Sequence, residues 1–384
     1  MRAITRASVA VLFCLTTWQL ASAEETPTIT VSKGDKLSVN VADLSGGEGA
    51  SATAIVQKDL TASGQISLGG AAASFVVKGT AESGSLQGQV VDHSGGTVLS
   101  KSYNGGASAN AHQFANDIIE TLTGSKGLAG SKIAFIATRS GKKEVYVADF
   151  DGSHVRQITH DNTISVHPSI SPDGGRVAYT GYQSGYADAY VIDLGSGARN
   201  KVANYPGTNS GVAFSPDGGR IALTISKDGN PELYTISAGG GGARRLSHSR
   251  GVESGPTWSP SGDEIIYSFD GTGGPQLYRI SASGGSASQI STGYGYCTEP
   301  DWSPDGKKIA FNVRSGGEFQ IVVMDVGGGN KHTVATGEDP AWGPDSRHLI
   351  FSQGGALYMV DAINGQKTKV LSGLGKITEP SWSR

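Results

Sequence analysis

Cysteine is almost absent from this 384-residue chain, which contains Cys14 and Cys297 and no other. Small exported domains without a large core are usually held together by several disulfides, and two cysteines cannot build such a framework. The fold must therefore be stabilised by packing. Cys297 has no histidine or asparagine signature that would mark a catalytic nucleophile, so we interpret it as an apolar filler or a loop thiol.

An excess of charge of one sign is also missing, since the net charge is −3 and no block of like charges occurs. Proteins that bind nucleic acid usually carry a basic patch or stripe, so the composition argues against a nucleic-acid partner. After residue 20 no apolar run approaches the roughly 20 residues that a membrane span needs. The sequence therefore predicts no direct membrane insertion.

The motifs of common catalytic and metal sites are missing as well. The chain has no G-x-S-x-G, H-E-x-x-H or C-x-x-C spacing, and its eight histidines are scattered. Asp149 and Asp151 resemble part of a calcium loop without its third ligand or its closing glutamate. The glycines at 239–242 precede neither a Walker lysine nor a helix. We interpret both segments as turns, and the sequence predicts no enzyme, no metal site and no cofactor.

The first 23 residues have the features of a secretory signal peptide. Arg2 and Arg6 precede an apolar run that extends to Leu20, and the small residues at 21–23 predict cleavage before Glu24. Cys14 follows Phe13 instead of the small residue typical of lipoprotein signals. We therefore expect a soluble exported protein.

One twelve-residue phrase recurs along the second half of the chain. It reads PDWSPDGKKIAF at 300–311, and variants of it begin at 168, 212, 256 and 340. Aligned on the serine, the copies are spaced by 44, 44, 44, 40 and 40 residues, and a period of about 40 to 50 residues indicates propeller blades or a helical array. The six anchor positions are Ser171, Ser215, Ser259, Ser303, Gly343 and Ser383.

Short alternating strands inside each unit favour the propeller. Segments such as ADAYVID and PELYTIS are rich in β-branched and aromatic residues, and glycine-rich turns separate them. Within the phrase, Pro-Asp-Gly predicts a tight turn, because proline presets φ, aspartate bonds its own backbone and glycine accepts a positive φ. Asp173, Asp217 and Asp305 are therefore interpreted as turn residues. Each unit holds about four strands.

The two ends of the repeat region predict that the ring closes. The segment 132–152 supplies the second and third strands of a blade without the first, and TEPSWSR at 378–384 supplies a matching first strand. Pairing the two would remove the open sheet edges. We expect an all-β six-bladed propeller over 129–384, closed by the C-terminal strand.

The region 24–128 has a different pattern and predicts a small α+β domain. TITV, KLSVNVADL, SFVVKGT, LQGQVVD and TVLSKSY read as strands, and 51–64 reads as a short helix. A clearer helix is predicted from an N-cap at Ser108 to Gly124, with Ala111, Phe114 and Ile118 on one apolar stripe. The expected fold is therefore multidomain.

The junction between these regions resembles that of the TolB family. NAHQFANDIIETLTGSKGLAGSKIAFIA matches the family's Ala-His, Ala-Asn and Leu-Thr-Gly-x-x-Gly features, here at 111–112, 115–116 and 122–127. IVQKDLTASG is similar to the family's first helix. The resemblance implies a periplasmic propeller protein of the Tol-Pal system, whose partners are the peptidoglycan-associated lipoprotein Pal and the inner-membrane protein TolA. The segment EETPTITVSKGDK does not match the family's N-terminal arm, which engages TolA in relatives.

Polar residues just before each P-x-W-S strand are the candidate binding residues. The innermost strands of a propeller line its channel, and the loops that enter them ring one mouth. By resemblance, this mouth would receive Pal, whereas the alternative is that these side chains only solvate a wet channel. The candidates are His167, Asn209, Glu253, Ser254, Thr298, Glu299, Glu338 and Glu379.

Two functions follow from these observations. The first is a non-enzymatic periplasmic adaptor that links Pal to the inner-membrane Tol proteins and supports outer-membrane integrity and cell division. The second is an exported propeller with a catalytic or glycan-binding site in its central channel, suggested by the acidic residues near one mouth.

Overall fold

The computed structural model of the protein describes residues 36–271 and 273–384. The predicted signal peptide, its cleavage site and the predicted strand at 28–31 lie outside the described residues. The described residues form two helices and 29 strands, arranged as one five-stranded sheet followed by six four-stranded sheets. The predicted fold class, a small α+β region followed by a six-bladed propeller, is confirmed.

The N-terminal sheet has the strand order β2-β1-β3-β4-β5. Strand β1, the second in this order, is parallel to both of its neighbours, and the last three strands form an antiparallel meander. The sequence did not predict β2, which has three residues. The strands are β1 (Leu37–Val41), β2 (Ile66–Leu68), β3 (Phe75–Glu82), β4 (Ser85–Asp92) and β5 (Thr97–Asn104).

Two helices, α1 (Gly49–Ala62) and α2 (Ala107–Thr123), pack against this sheet and against each other. Gly124 ends α2 as predicted, with a left-handed φ of 73°. The predicted N-cap at Ser108 is wrong, because the cap is Gly106, whose carbonyl already accepts the N–H of Asn110 at 2.9 Å. Ser108 lies inside the first turn.

The predicted apolar stripe of α2 is buried in the core of this region. Phe114 and Ile118 are fully buried and pack with residues of the sheet. A Cβ at Gly88 would lie 2.5 Å from the ring of Phe114, so β4 needs a glycine where the ring crosses it. The stripe therefore fixes how α2 lies on the sheet.

The six remaining sheets are antiparallel blades, and the innermost strand of each contacts the innermost strand of the next. Their strands, from the innermost outwards, are as follows. Blade 1 has β29 (Ile377–Trp382), β6 (Lys132–Ala137), β7 (Glu144–Asp149) and β8 (Arg156–Gln157); blade 2 has β9 (Ser165–Ile170), β10 (Arg176–Gly181), β11 (Asp188–Asp193) and β12 (Arg199–Ala203); blade 3 has β13 (Asn209–Phe214), β14 (Arg220–Ile225), β15 (Glu232–Ser237) and β16 (Arg244–Arg245). Blade 4 has β17 (Val252–Trp258), β18 (Glu264–Asp270), β19 (Gln276–Ser281) and β20 (Ser288–Gln289); blade 5 has β21 (Cys297–Trp302), β22 (Lys308–Ser315), β23 (Glu318–Asp325) and β24 (His332–Thr336); blade 6 has β25 (Glu338–Trp342), β26 (His348–Gln353), β27 (Ala356–Asp361) and β28 (Lys367–Leu371).

Blade 1 closes the ring, because its innermost strand β29 comes from the C-terminal part of the chain. It pairs antiparallel with β6, placing Trp382 opposite Ile133. The N–H of Lys132 donates to Oγ of Ser383 at 2.8 Å across 251 residues of sequence. The predicted closure is thus confirmed.

The Ser-Pro-Asp-Gly turns lie at one end of the propeller, which we call the turn end. In blade 5, Oγ of Ser303 donates to Asp305 at 2.6 Å and accepts the N–H of Lys308 at 2.9 Å. Asp305 also accepts the N–H of Lys307 at 3.0 Å. These side chains satisfy their own turn, which is the role that the sequence predicted for Asp305.

The N-terminal region contacts the propeller at the turn end. Lys58 of α1 forms an ion pair with Asp151, and Ala62 packs on the core of blades 1 and 6. A Cβ at Gly64 would come within 3.3 Å of both His348 and Asp361 in blade 6. The N-terminal region therefore lies at the end opposite to the loops that enter the innermost strands.

Candidate functional site: the channel mouth

The innermost strand of every blade contains one residue with a left-handed backbone, at the same place in the repeat. The pairing with the second strand shifts register there, as at a β-bulge. In these residues φ lies between 49° and 65°, a region that usually favours glycine. We call them the bulge ring: His167, Gly211, Gly255, Glu299, Asp339 and Glu379.

All bulge-ring residues line one cavity of about 580 Å³ along the propeller axis. The exposed side chains of Glu338 and Lys376 line its mouth, at the end where the innermost strands begin. Lys126 and Arg384 line it near the turn end. Concave sites of this size commonly hold a ligand or a segment of a partner.

Three neighbouring blades place carboxyl groups in the mouth. Two of these carboxyl groups each accept a backbone N–H group from the next blade around the ring. Oε2 of Glu379 accepts the N–H of His167 at 2.6 Å, and Oδ2 of Asp339 accepts the N–H of Glu379 at 3.0 Å. Lys143 lies 3.5 Å from Oε1 of Glu379. Glu299 has no hydrogen-bond partner among the described residues.

This crowding raises the pKa of two of the carboxyl groups, those of Glu299 and Asp339. Burial raises the pKa of Glu299 to about 8, and the neighbouring charges of Asp339 and Glu379 act in the same direction. Burial and the charge of Glu379 raise the pKa of Asp339 to about 6. At neutral pH the protonated form of Glu299 therefore prevails, so the mouth can donate as well as accept hydrogen bonds.

Blades 3 and 4 have glycine in the bulge ring and so contribute no bulge-ring side chain to the mouth. A Cβ at Gly255 would lie 3.4 Å from Oε2 of Glu299, so the Glu299 side chain extends into the space that this glycine leaves. The mouth is consequently asymmetric, acidic on blades 5, 6 and 1 and open on blades 3 and 4.

A second layer of side chains below the bulge ring joins the blades to one another. Oδ2 of Asp301 accepts the N–H of Trp342 in the next blade at 2.7 Å, and its Oδ1 binds the guanidinium of Arg384. Ser169 and Thr257 accept backbone N–H groups of the following blades in the same way. The floor of the mouth is therefore held by direct contacts between blades.

Four of the eight residues predicted from the sequence line the cavity. These are His167, Glu299, Glu338 and Glu379, and three of them belong to the bulge ring. The other four do not line it: Asn209, Glu253, Ser254 and Thr298.

Two of these four residues have structural contacts instead. Asn209 is fully buried and donates to the carbonyls of Tyr205 and Ala187 at 2.8 and 3.1 Å. Glu253 is buried and accepts the N–H of Leu233 at 2.8 Å, and burial raises its pKa. Ser254 is exposed and Thr298 is half-buried outside the cavity. The carboxyl groups of the mouth are thus contributed by fewer blades than expected.

The sequence interpretation missed Asp339, Asp301 and Arg384 in the cavity. Asp339 could have been found, because it lies four residues before the anchor Gly343, as Glu299 does before Ser303. Asp301 and Arg384 have no such signal, since their pairing depends on ring closure.

Within residues 36–271 and 273–384, no group of histidine, cysteine, aspartate and glutamate is arranged to hold a metal ion. Over the same ranges, neither helix has the length and apolar character needed to cross a membrane.

A family model described as the TolB beta propeller domain matches residues 119–384, which is more than half of the chain. The chain belongs to the TolB family. The bulge ring and the channel lie within the matched residues.

Named relatives agree with this assignment over short segments. The TolB-family chain is 44% identical over 115 residues to a TolB homolog of Chlorobium chlorochromatii, covering 28% of this chain and 26% of that protein. It is 44% identical over 62 residues to the Tol-Pal system protein TolB of Geobacter sulfurreducens, covering 16% and 14%. The matched part thus spans about a quarter or less of the length of these relatives.

A solved structure extends the likeness to almost the whole TolB-family chain. The crystal structure of TolB from Acinetobacter baumannii superposes with a TM-score of 0.80, covering 91% of this chain and 97% of that one. The two sequences are 22% identical, so this comparison supports the fold.

Proposed function

We propose that the protein is a non-enzymatic periplasmic adaptor of the Tol-Pal system. In this role it binds Pal through the channel mouth and supports outer-membrane integrity and cell division. Membership of the TolB family carries the proposal, and a relative named Tol-Pal system protein TolB supports it. The geometry is compatible, because the cavity opens at the end opposite to the contact with the N-terminal region.

The deciding experiment measures binding of the mature chain to the purified Pal homologue of the same organism by calorimetry. We expect saturable binding that Glu299→Arg weakens at least about tenfold, because a large cation would fill the space beside Gly255. Absence of binding to Pal, together with failure to recover Pal from periplasmic extracts, would contradict the proposal.

Asp263→Arg is the matched control for this substitution. Asp263 is an exposed carboxylate in the blade 4 turn, at the opposite end of the propeller. We expect its variant to bind Pal as the wild type does, with both variants compared at equal folded fraction. Equal loss in the two variants would remove the mouth as the binding face.

Contact with TolA or another inner-membrane Tol protein is part of the same proposal. The test measures binding of the periplasmic part of TolA to the mature chain and to a variant of the mature chain that lacks residues 24–35. Binding that is unchanged by the deletion would place the TolA contact elsewhere.

A second candidate function is binding or conversion of a small ligand, such as a glycan, in the channel. Two carboxyl groups in the cavity favour this candidate, because the pKa of Glu299 is raised to about 8 and that of Asp339 to about 6. Carboxyl groups with a raised pKa often serve as proton donors. Thermal-shift measurements with soluble peptidoglycan fragments test it. Stabilisation that Glu299→Gln and Asp339→Asn both abolish would support this candidate over the adaptor.

A further inference from the structure

Blade 1 carries a concentration of positive charge at the channel mouth that the other blades lack. The hairpin between β6 and β7 reads TRSGKK at 138–143 and contains Arg139, Lys142 and Lys143. Lys376 stands in the loop before β29, the other mouth loop of the same blade. The corresponding hairpins, 182–187, 226–231, 271–275, 316–317 and 354–355, contain one lysine and one aspartate between them.

The two loops form one continuous surface. The N–H of Thr138 donates to the carbonyl of Lys376 at 3.2 Å, and the N–H of Lys376 donates to Oγ1 of Thr138 at 2.8 Å. A Cβ at Gly375 would lie 2.5 Å from Oγ1 of Thr138, which shows how closely the loops are pressed together. The four cations therefore share one rim of the mouth, although Lys376 is distant from the others in sequence.

Most of this charge is not neutralised within the described part of the chain. Lys143 lies 3.5 Å from Glu379, whereas Arg139, Lys142 and Lys376 are exposed and form no ion pair with any described carboxylate. The net charge of the whole chain is −3, so the local excess does not reflect a basic protein. Clustered cations repel one another, and an anionic partner relieves this repulsion.

The neighbouring acidic sector restricts what the partner can be. Lys143 marks the boundary between the basic rim and the carboxyl groups of Glu379, Asp339 and Glu299. A flat anionic membrane laid across the mouth would also face Glu338, which is exposed on blade 6. A peptide can instead direct acidic side chains to blade 1 and other groups into the channel.

We propose that Arg139, Lys142, Lys143 and Lys376 form a docking surface for an acidic peptide segment of the protein that occupies the mouth. This inference rests on the proposed function, because it assigns an orientation to the partner in that site. The basic rim attracts the acidic segment and the acidic sector repels it, so a partner can dock in one orientation.

The test compares two triple variants with equal net charge. Arg139→Gln/Lys142→Gln/Lys376→Gln removes the exposed rim cations and leaves Lys143 with Glu379. Lys78→Gln/Lys307→Gln/Lys369→Gln removes three exposed cations from the N-terminal sheet, the turn end and the outer edge of blade 6. All six positions are exposed, so both variants should fold.

The probe is a short glutamate-rich peptide, measured by fluorescence anisotropy over a range of salt concentrations, with a glutamine-rich peptide as reference. We expect the rim variant to weaken binding about tenfold and to flatten its salt dependence, because rim charges act mainly through screened attraction. The control variant should stay within about twofold of the wild type.

Three results would overturn the inference. The first is equal binding of the glutamate-rich peptide by the two triple variants, and the second is no binding by the wild type above the glutamine-rich reference. The third is rim-dependent binding to phosphatidylglycerol vesicles without binding to the peptide, which would indicate a membrane surface instead. Failure of the wild type to bind Pal would contradict the proposed function alone, since the peptide measurement does not use Pal.

Discussion

The two ends of the propeller share a repeated backbone but use their side chains differently. At the turn end, Ser303 and Asp305 bond to the backbone of their own turn, and Ser171 and Ser215 do the same in their blades. At the mouth, the bulge ring repeats one backbone angle but contains histidine, glycine, glutamate and aspartate. Where the same residue type recurs at the same backbone angle, its side chain supports the backbone. Where the residue type varies while the backbone angle stays constant, the side chains can serve different functions in different blades.

The same comparison separates stabilising from destabilising side chains. A turn-end hydroxyl satisfies a partly buried N–H group and so contributes to stability. The carboxyl groups of Glu299 and Asp339 are crowded and partly desolvated, which disfavours their charged forms. Removing a turn-end hydroxyl and neutralising a buried mouth carboxyl group should therefore change the free energy of unfolding in opposite directions.

The largest effect is expected for Glu299→Gln. Because the pKa of Glu299 is raised to about 8 in the folded chain, the unfolded chain loses this proton at lower pH, and wild-type stability falls as pH rises from the usual glutamate range towards 8. The variant avoids this loss. We expect it to be more stable than the wild type by roughly 2 to 4 kcal/mol at pH above 8 and equally stable near pH 4, measured by urea unfolding.

Glu338→Gln provides the comparison within the mouth. Glu338 is exposed, so its substitution should change stability by less than about 0.5 kcal/mol at any pH. A stability difference between Glu299→Gln and the wild type that does not grow with pH would show that the carboxyl groups are not crowded as described.

At the turn end, Ser303→Ala should have the opposite effect. The partly buried N–H of Lys308 would lose its acceptor, and we expect the free energy of unfolding to fall by about 1 to 3 kcal/mol. Binding at the mouth should not change. Ser100→Ala, at an exposed serine of β5, serves as control, and equal stability of the two variants would assign the repeated serine no structural role.

A smaller effect than for Ser303→Ala is expected for Gly255→Ala, which adds a side chain to the open side of the mouth. Its φ of 57° disfavours alanine, so stability should fall by about 1 kcal/mol in thermal unfolding. Gly327→Ala is the control, since a Cβ there meets no atom within 4 Å and φ is not left-handed. Similar stabilities of the two variants would mean that the bulge ring carries no backbone strain.

Much of the fold could be predicted from the sequence because the repeat combines local and global signals. The Pro-Asp-Gly turns determine hairpins within a few residues, and the unmatched strand at 378–384 predicts the pairing of β29 with β6. The sequence does not predict strand β2, because a strand of three residues is too short to show the alternation of apolar and polar side chains. The sequence predicts an N-cap at Ser108 because serine favours that position, but the extended backbone at Gly106 starts α2 earlier.

The mouth was harder to predict because the bulge interrupts the alternation of side chains. In a regular strand, residues two apart point the same way, and an inserted left-handed residue reverses that parity. Asn209 and Glu253, two residues before Gly211 and Gly255, therefore turn into the blades instead of the channel. The sequence does not predict the basic rim for another reason. Lys376 is distant in sequence from Arg139 and Lys142, and only ring closure brings these residues together.

The pairing of β29 with β6 also has a consequence for the timing of folding. The contact between Lys132 and Ser383 joins chain positions 251 residues apart, and such distant contacts form late because the intervening chain must be ordered first. Blade 1 should therefore be the last blade to assemble, and the rim that its two loops create should exist on completed rings alone. An incompletely folded molecule would then lack this docking surface, so a partner that requires it would discriminate finished propellers from folding intermediates.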